Sequence, residues 1–443
     1  MSETTAPSFK KRLNKFLSRF KLDSHHQIER FGAGFFTIVI AGVLILSAAG
    51  VTAFQNNRAQ LGSTAIYTAG FTTSKTAVSG TVEGLYTSED KTRAMVLMKF
   101  DDVAQVSTNA ENYQAFMTGI NMNFGSEDLK GSPSGDIFVF GSTGYMGVLL
   151  ENPEGFDTQI INLTLRANEE LVRPEEATEL DEDVAADESF ADFDQWRVLI
   201  NPGASETIES KALTGNESDM RELYSEMIIE PQERELRATM DSQLETLRTD
   251  INAIESYTER LTTTKFDDTT LQAPEVPEQI AGDEILCDGR SLKGVTGDDA
   301  VCASEDLELS TDWVFPNGYD FDWRSGSVEE GYLADLVPEG QTPLGYLSQH
   351  RAEQSDSLSV NEIEWTLADG TPLSENVAYQ DSDLSREVNS NIALLTGAYT
   401  TYYDHKKEYM VGSYDELLNL EVDLRDVEAN YSENTSDESV LVY

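Results

Sequence analysis

Residues 31–54 read FGAGFFTIVIAGVLILSAAGVTAF and carry no charged side chain. A helix of this length reaches about 36 Å, enough for a hydrocarbon core of about 30 Å. A buried core helix rarely runs so far without a charge. A cleavable signal has a shorter apolar run and a shorter leader than the segment found here, although Val51 and Ala53 would suit a cleavage site. The reading taken is an uncleaved transmembrane helix.

Charge on either side of the stretch orients it. Residues 1–30 hold seven basic and three acidic side chains, and residues 55–443 hold 24 basic and 77 acidic ones, a net of −53. The positive-inside rule puts the N-terminus in the cytoplasm and residues 55–443 outside. The expected localisation is therefore the cell membrane, single-pass, with the bulk of the chain extracytoplasmic. Within residues 1–30, Phe9, Leu13, Phe16, Leu17 and Phe20 share one helical face, while Lys10, Lys11, Arg12, Lys15, Arg19 and Lys21 occupy much of the rest. That pattern fits a basic amphipathic helix on anionic lipid; topogenic charge alone, or a cytoplasmic partner, would use the same residues. The total of −49 argues against nucleic acid as a partner, because affinity for phosphates comes from Lys and Arg.

Beyond residue 62 the pattern turns to short β-rich runs. Candidate strands are 64–71, 76–86, 93–100, 136–141, 144–150, 158–165 and 195–202, separated by SEDK, GSPSG, GSTG and ENPEG. This spacing predicts an antiparallel β-sandwich over 62–212. A short helix is expected near 109–118, capped by Asn109, with Tyr113, Phe116 and Met117 on one face. Residues 174–194 are an acidic loop inserted between strands; they lack the D-x-[DN]-x-[DN]-G spacing of a calcium loop.

A different period follows. Over 215–264, Met240, Leu244, Leu247, Ile251, Ile254 and Leu261 keep a heptad that skips Thr258, with Pro231 marking a break or late start. Over 384–430, Val388, Ile392, Leu395, Tyr399 and Tyr402 and then Leu417, Leu420, Leu424 and Val427 form a second stripe, with a slip near 402–410. The expectation is two long coiled-coil helices in an antiparallel hairpin, with homo-oligomerisation through their outer faces compatible with it. Residues 265–383 form a loop-rich insertion at the tip, and 431–443 an acidic tail. The insertion holds the chain's two cysteines, Cys287 and Cys302. Outside the cytoplasm they are expected to form a disulfide, since zinc would need two more ligands. The run TDWVFPNGYDFDW supplies an aromatic cluster, read as the small core of the insertion ahead of a contact patch.

The fold class is thus α+β and multi-domain: membrane helix, sandwich, and hairpin with a stapled tip. Chemistry leaves little trace. His350 and His405 lie in no ligand spacing, and neither G-x-S-x-G nor a phosphate-binding loop occurs. No catalytic residue, metal or cofactor is expected. The functional expectation is a non-catalytic binding or assembly protein of the cell envelope, with the lipid bilayer and envelope or surface proteins as partners. A ligand sensor is the alternative, and an envelope hydrolase the third reading.

Overall fold

RAMVLMKF and YMGVLLE place apolar side chains on both faces of a strand, so a sheet built from them must be covered twice. The computed structural model shows how. It describes residues 61–442 apart from 104–105, 122–124, 168–192, 215–218, 266–267, 288, 292–301, 311–318, 320, 353–359, 361–362, 377–378, 380–381 and 437. The larger sheet contains β1 (Gly70–Thr72), β2 (Ser79–Thr87), β3 (Arg93–Phe100), β6 (Ser134–Val139), β7 (Tyr145–Glu151), β10 (Ile208–Glu209) and β14 (Ser432–Asn434). Its order is β1-β2-β3-β7-β6-β14, with β10 also on β2. The second sheet contains β4 (Tyr113–Ile120), β5 (Ser126–Glu127), β8 (Ile160–Ala167), β9 (Gln195–Ile200) and β15 (Val440–Val442). Its order is β15-β4-β8-β9, with β5 on β4. Pairing is antiparallel except for β10 with β2 and β15 with β4.

Strand alternation sorts the apolar residues into two cores. Ala94, Val96 and Met98 of β3, with Val148 and Leu150 of β7, meet Ala115, Met117, Leu163, Leu165 and Trp196 of the second sheet. Met95 and Leu97, with Leu149, point the other way and join a core made with helices. The order of layers is therefore sheet, sheet, helices. Trp196 anchors the first core, its ring centroid 5.3 Å from Phe100 and 5.8 Å from Phe71.

Both seams between the sheets are covered. On one side Tyr67 N–H donates to Leu199 O (2.9 Å) and Ser74 N–H to Gln195 O (3.0 Å), so the chain just before and just after β1 also lines β9. On the other side β14 pairs with β6 and β15 with β4, and Ser439 Oγ donates to Gly135 O at 2.9 Å. Residues 431–443, expected as an acidic tail, thus contribute one strand to each sheet.

The helical layer holds α1 (Met220–Tyr224), a π-helical segment (Ser225–Ile229), α2 (Glu230–Thr263), α3 (Leu333–Leu336), α4 (Pro343–Ala352), α5 (Ser382–Lys407), a second π segment (Glu408–Ser413) and α6 (Tyr414–Asn430). Asp219 caps α1 by accepting from the amides of Arg221 and Glu222. The run from α2 and that from α5 to α6 lie antiparallel, tied by Asn391 to Thr264 (2.9 Å), His405 to Asp250 (2.7 Å) and Ser413 to Gln243 (2.8 Å). The insertion contributes a small sheet of β11 (Glu284–Cys287), β12 (Arg290–Ser291) and β13 (Leu307–Ser310), ordered β12-β11-β13. A disulfide joins Cys287 to Cys302, with Cα atoms 5.9 Å apart.

Four expectations need correction. First, the helices are not a coiled-coil hairpin. Leu244, Leu247, Leu261, Leu417, Leu424 and Val427 are buried and Ile251, Ile254 and Leu420 partly so, but all pack into one core with sheet residues and the insertion. A 4-3 stripe is what any helix needs to cover a mixed core, and the π segments break the register that a supercoil would keep. Second, the fold class with a membrane helix, and with it the transmembrane, single-pass placement at the cell membrane, is not met. Among the described residues no helix is long and apolar enough to cross a membrane. Residues 31–54, and the basic patch Lys10, Lys11, Arg12, Lys15, Arg19 and Lys21, lie outside the described residues. Third, the helix at 109–118 is a single 3-10 turn at Ala110–Asn112 followed by β4. Asn109 does cap it, but Tyr113, Ala115 and Met117 are all fully buried, a period of two. Fourth, the aromatic run is not a core of its own: Phe321 sits 4.8 Å from Tyr414, and Trp323 Nε1 donates to Tyr409 Oη at 3.0 Å, so it packs on the helices. Trp313 and Phe315 lie outside the described residues, as does most of the acidic loop 174–194.

Candidate functional site

Pro231 has no N–H, so it cannot give an α-type hydrogen bond to the carbonyl four residues earlier. That carbonyl belongs to Met227, in the first π segment, and the Tyr86 hydroxyl donates to it at 3.1 Å. The contact fixes the end of β2 against the start of α2. The helices do not cover the sheet completely here. A groove of about 350 Å³ remains between β2, β10 and the first turn of α2.

Its floor is apolar and aromatic: Tyr86, Leu97, Tyr145, Met227, Ile228 and Pro231. Ile208 forms one lip and is 48 % exposed. Gln232 Nε2 donates to Tyr145 Oη at 3.0 Å, which orients that ring. The rim is acidic, with Glu83, Glu209 and Glu226, and among the described residues no Lys or Arg lines the groove. Glu226 serves structure: it accepts from the amides of Lys211 (2.9 Å) and Ala212 (2.7 Å) and from Ser210 Oγ, and so pins the chain after β10. Burial, then the nearby Glu83 carboxylate, pushes the Tyr86 hydroxyl above its ordinary value and keeps it a neutral donor. The fold already places one cation on this aromatic surface, with Lys99 Nζ 4.9 Å from the Tyr145 ring centroid. Aromatic faces beside carboxylates accept a side chain with an apolar stem and a cationic head.

A larger cleft of about 710 Å³ lies at the end of the larger sheet, beside Ser88, Asp90, Thr92, Arg93, Glu151 and Thr214. Arg93, Glu151 and Asp90 are committed internally. Arg93 Nε pairs with Glu151 at 2.9 Å. Asp90 accepts from Thr92 N–H and from the Ser88 and Thr92 hydroxyls, which hold its carboxyl down to about 2. It lacks the aromatic floor of the groove.

The residues that could carry catalysis are dispersed. His405 bonds Asp250, and His350 stacks on Tyr319 (5.5 Å) and lies tilted against Tyr346 (4.2 Å). Cys287 and Cys302 are bridged. Among the described residues no cluster of His, Cys, Asp or Glu could hold a metal ion. Sequence reading missed the groove, whose only signal was Pro231 behind an apolar run. It also missed a buried ion pair, Lys406 with Asp283, although a lysine in register with Tyr399 and Tyr402 was a visible interruption of an apolar stripe. No protein-family model, curated protein or solved structure matches the chain.

Proposed function

We propose that this chain is a non-catalytic binding and assembly protein that engages a basic segment of a partner protein through the groove at Tyr86. The observation carrying this reading is the groove's composition: two tyrosines and exposed Ile208 behind a rim of glutamates, with no Lys or Arg among its described lining residues. A lysine or arginine stem stacks on the rings while its charge meets Glu83 or Glu209. Tyrosine, methionine and isoleucine in a partly desolvated depression give the anchor that a protein contact needs, and the strongly acidic remainder of the chain speeds encounter with a basic partner.

The test is binding of short synthetic peptides carrying Lys or Arg beside Leu or Ile, compared with Glu-substituted versions. Basic peptides should bind, weaken as salt rises, and lose about tenfold in affinity on Tyr86→Ala or on the double change Glu83→Gln, Glu209→Gln. Equal binding by the groove variants would show that bulk charge alone attracts the peptides and would end this assignment.

A further inference from the structure

Lys406 and Asp283 meet where the insertion joins the helical layer. Their side chains are 0 % and 1 % exposed, and Nζ lies 2.7 Å from Oδ2. The Tyr402 hydroxyl, one helical turn before Lys406, donates to the same Oδ2 at 2.8 Å. Nζ also donates to Gln279 O at 2.8 Å, which aims it at the carboxyl. Given a C–O bond near 1.23 Å, Nζ is less than about 4 Å from Cγ, close to the separation of a near-attack pair.

We propose that Lys406 and Asp283 condense into an intramolecular amide crosslink. A fully buried ion pair is a costly way to join two elements. Burial pushes Lys406 below its ordinary value, against the Asp283 carboxylate that raises it, so the low dielectric lowers the cost of passing the proton from ammonium to carboxylate. The resulting amine and carboxylic acid are the reactants for an amide. The Nζ lone pair attacks Cγ, and Tyr402 stabilises the charge that develops on Oδ2. The Cγ–Oδ1 bond then breaks, Oδ1 takes the acid proton and one amine proton and leaves as water, and Oδ2 becomes the amide carbonyl oxygen. No oxidant, reductant or further reactant enters. Proximity without competing solvent supplies the drive. The bond would tie positions 123 residues apart and fix the base of the insertion four residues before the disulfide at Cys287.

Intact-mass measurement of the purified full chain, denatured and with its disulfide reduced, decides the matter. The expected mass is below the sequence mass by one water, and proteolytic mapping should recover a branched peptide joining Lys406 to Asp283. In Asp283→Asn the same attack expels ammonia instead, so the deficit changes from one water to one ammonia. In Asp283→Ala the sequence mass returns. A wild-type chain at its full sequence mass, or a missing water that maps elsewhere, overturns the proposal, and neither result depends on the variants folding.

Discussion

Glu421 accepts the backbone amides of two successive residues of the insertion, Tyr332 at 2.6 Å and Leu333 at 2.8 Å, from a position that is 1 % exposed. Its other oxygen takes Arg425 Nε at 2.8 Å. One carboxylate on α6 thereby starts α3 and holds the insertion down on the helical layer. Glu421→Ala leaves two buried donors unsatisfied and is expected to cost about 3 kcal/mol, with Glu421→Gln milder because its carbonyl oxygen can still accept. Urea midpoints of the two variants check this; equal midpoints to wild type would show that the amides find other partners.

Asp423 produces a pH dependence of the opposite sign to ordinary acid denaturation. Burial, and then the Asp426 carboxylate, raise its carboxyl to about 6, against the pull of Lys99. Between its ordinary value of 3.8 and about 6 the folded chain holds a proton that the unfolded chain releases. This group's contribution is complete below the lower value, falls as pH rises through the window, and stays lost above it, by on the order of 2 kcal/mol. Asp423→Asn should be more stable than wild type at pH 7 and equal to it near pH 4. Thermal melts at the two pH values test the sign.

The disulfide closes a loop with a sequence separation of 15. Reduction, or Cys287→Ser with Cys302→Ser, should cost about 3 kcal/mol of loop-closure stabilisation, felt in the insertion first. Hydrogen exchange should then speed in β11 and β13, with β3 and β7 unchanged. Uniform loss across the sheets would show that the insertion and the sandwich unfold as one unit.

Truncation after residue 430 removes β14 and β15 together and leaves unpaired the edge of β6 and the Ala115–Met117 part of β4. Open edges template aggregation. The shortened chain is expected to aggregate, and the single change Val440→Asp, at a 7 % exposed position in the sandwich core, to lower stability by about 2–4 kcal/mol. Light scattering and urea titration report the two effects.

Much of the strand content was readable because period-two patterning is local. The run read at 93–100 is the extent of β3, and 144–150 differs from β7 by one residue at each end. The misreading at 109–118 came from weighing a cap and three aromatic or apolar positions above the alternation at Tyr113, Ala115 and Met117. Asn109 caps a turn equally well whether a helix or a strand follows. The site was less legible still. Glu83 and Tyr86 of β2, Ile208 and Pro231 lie on three separate stretches of chain, and no motif links them until the sheet and α2 meet.

By itself the sequence determined where apolar faces exist, which segments alternate at period two or follow a helical stripe, how charge is divided along the chain, and that two cysteines were available to bridge. Tertiary structure decided what those faces meet. The stripes at Leu244 and Leu417 looked like two halves of a seam, yet they cover a core shared with β3, β7 and the insertion. A hydrophobic stripe states only that one side must leave water. Burial is non-directional, so the choice of partner rests on shape, on the π segments that shift register, and on buried polar contacts such as Glu421 with Tyr332, which exist only once distant parts of the chain have come together.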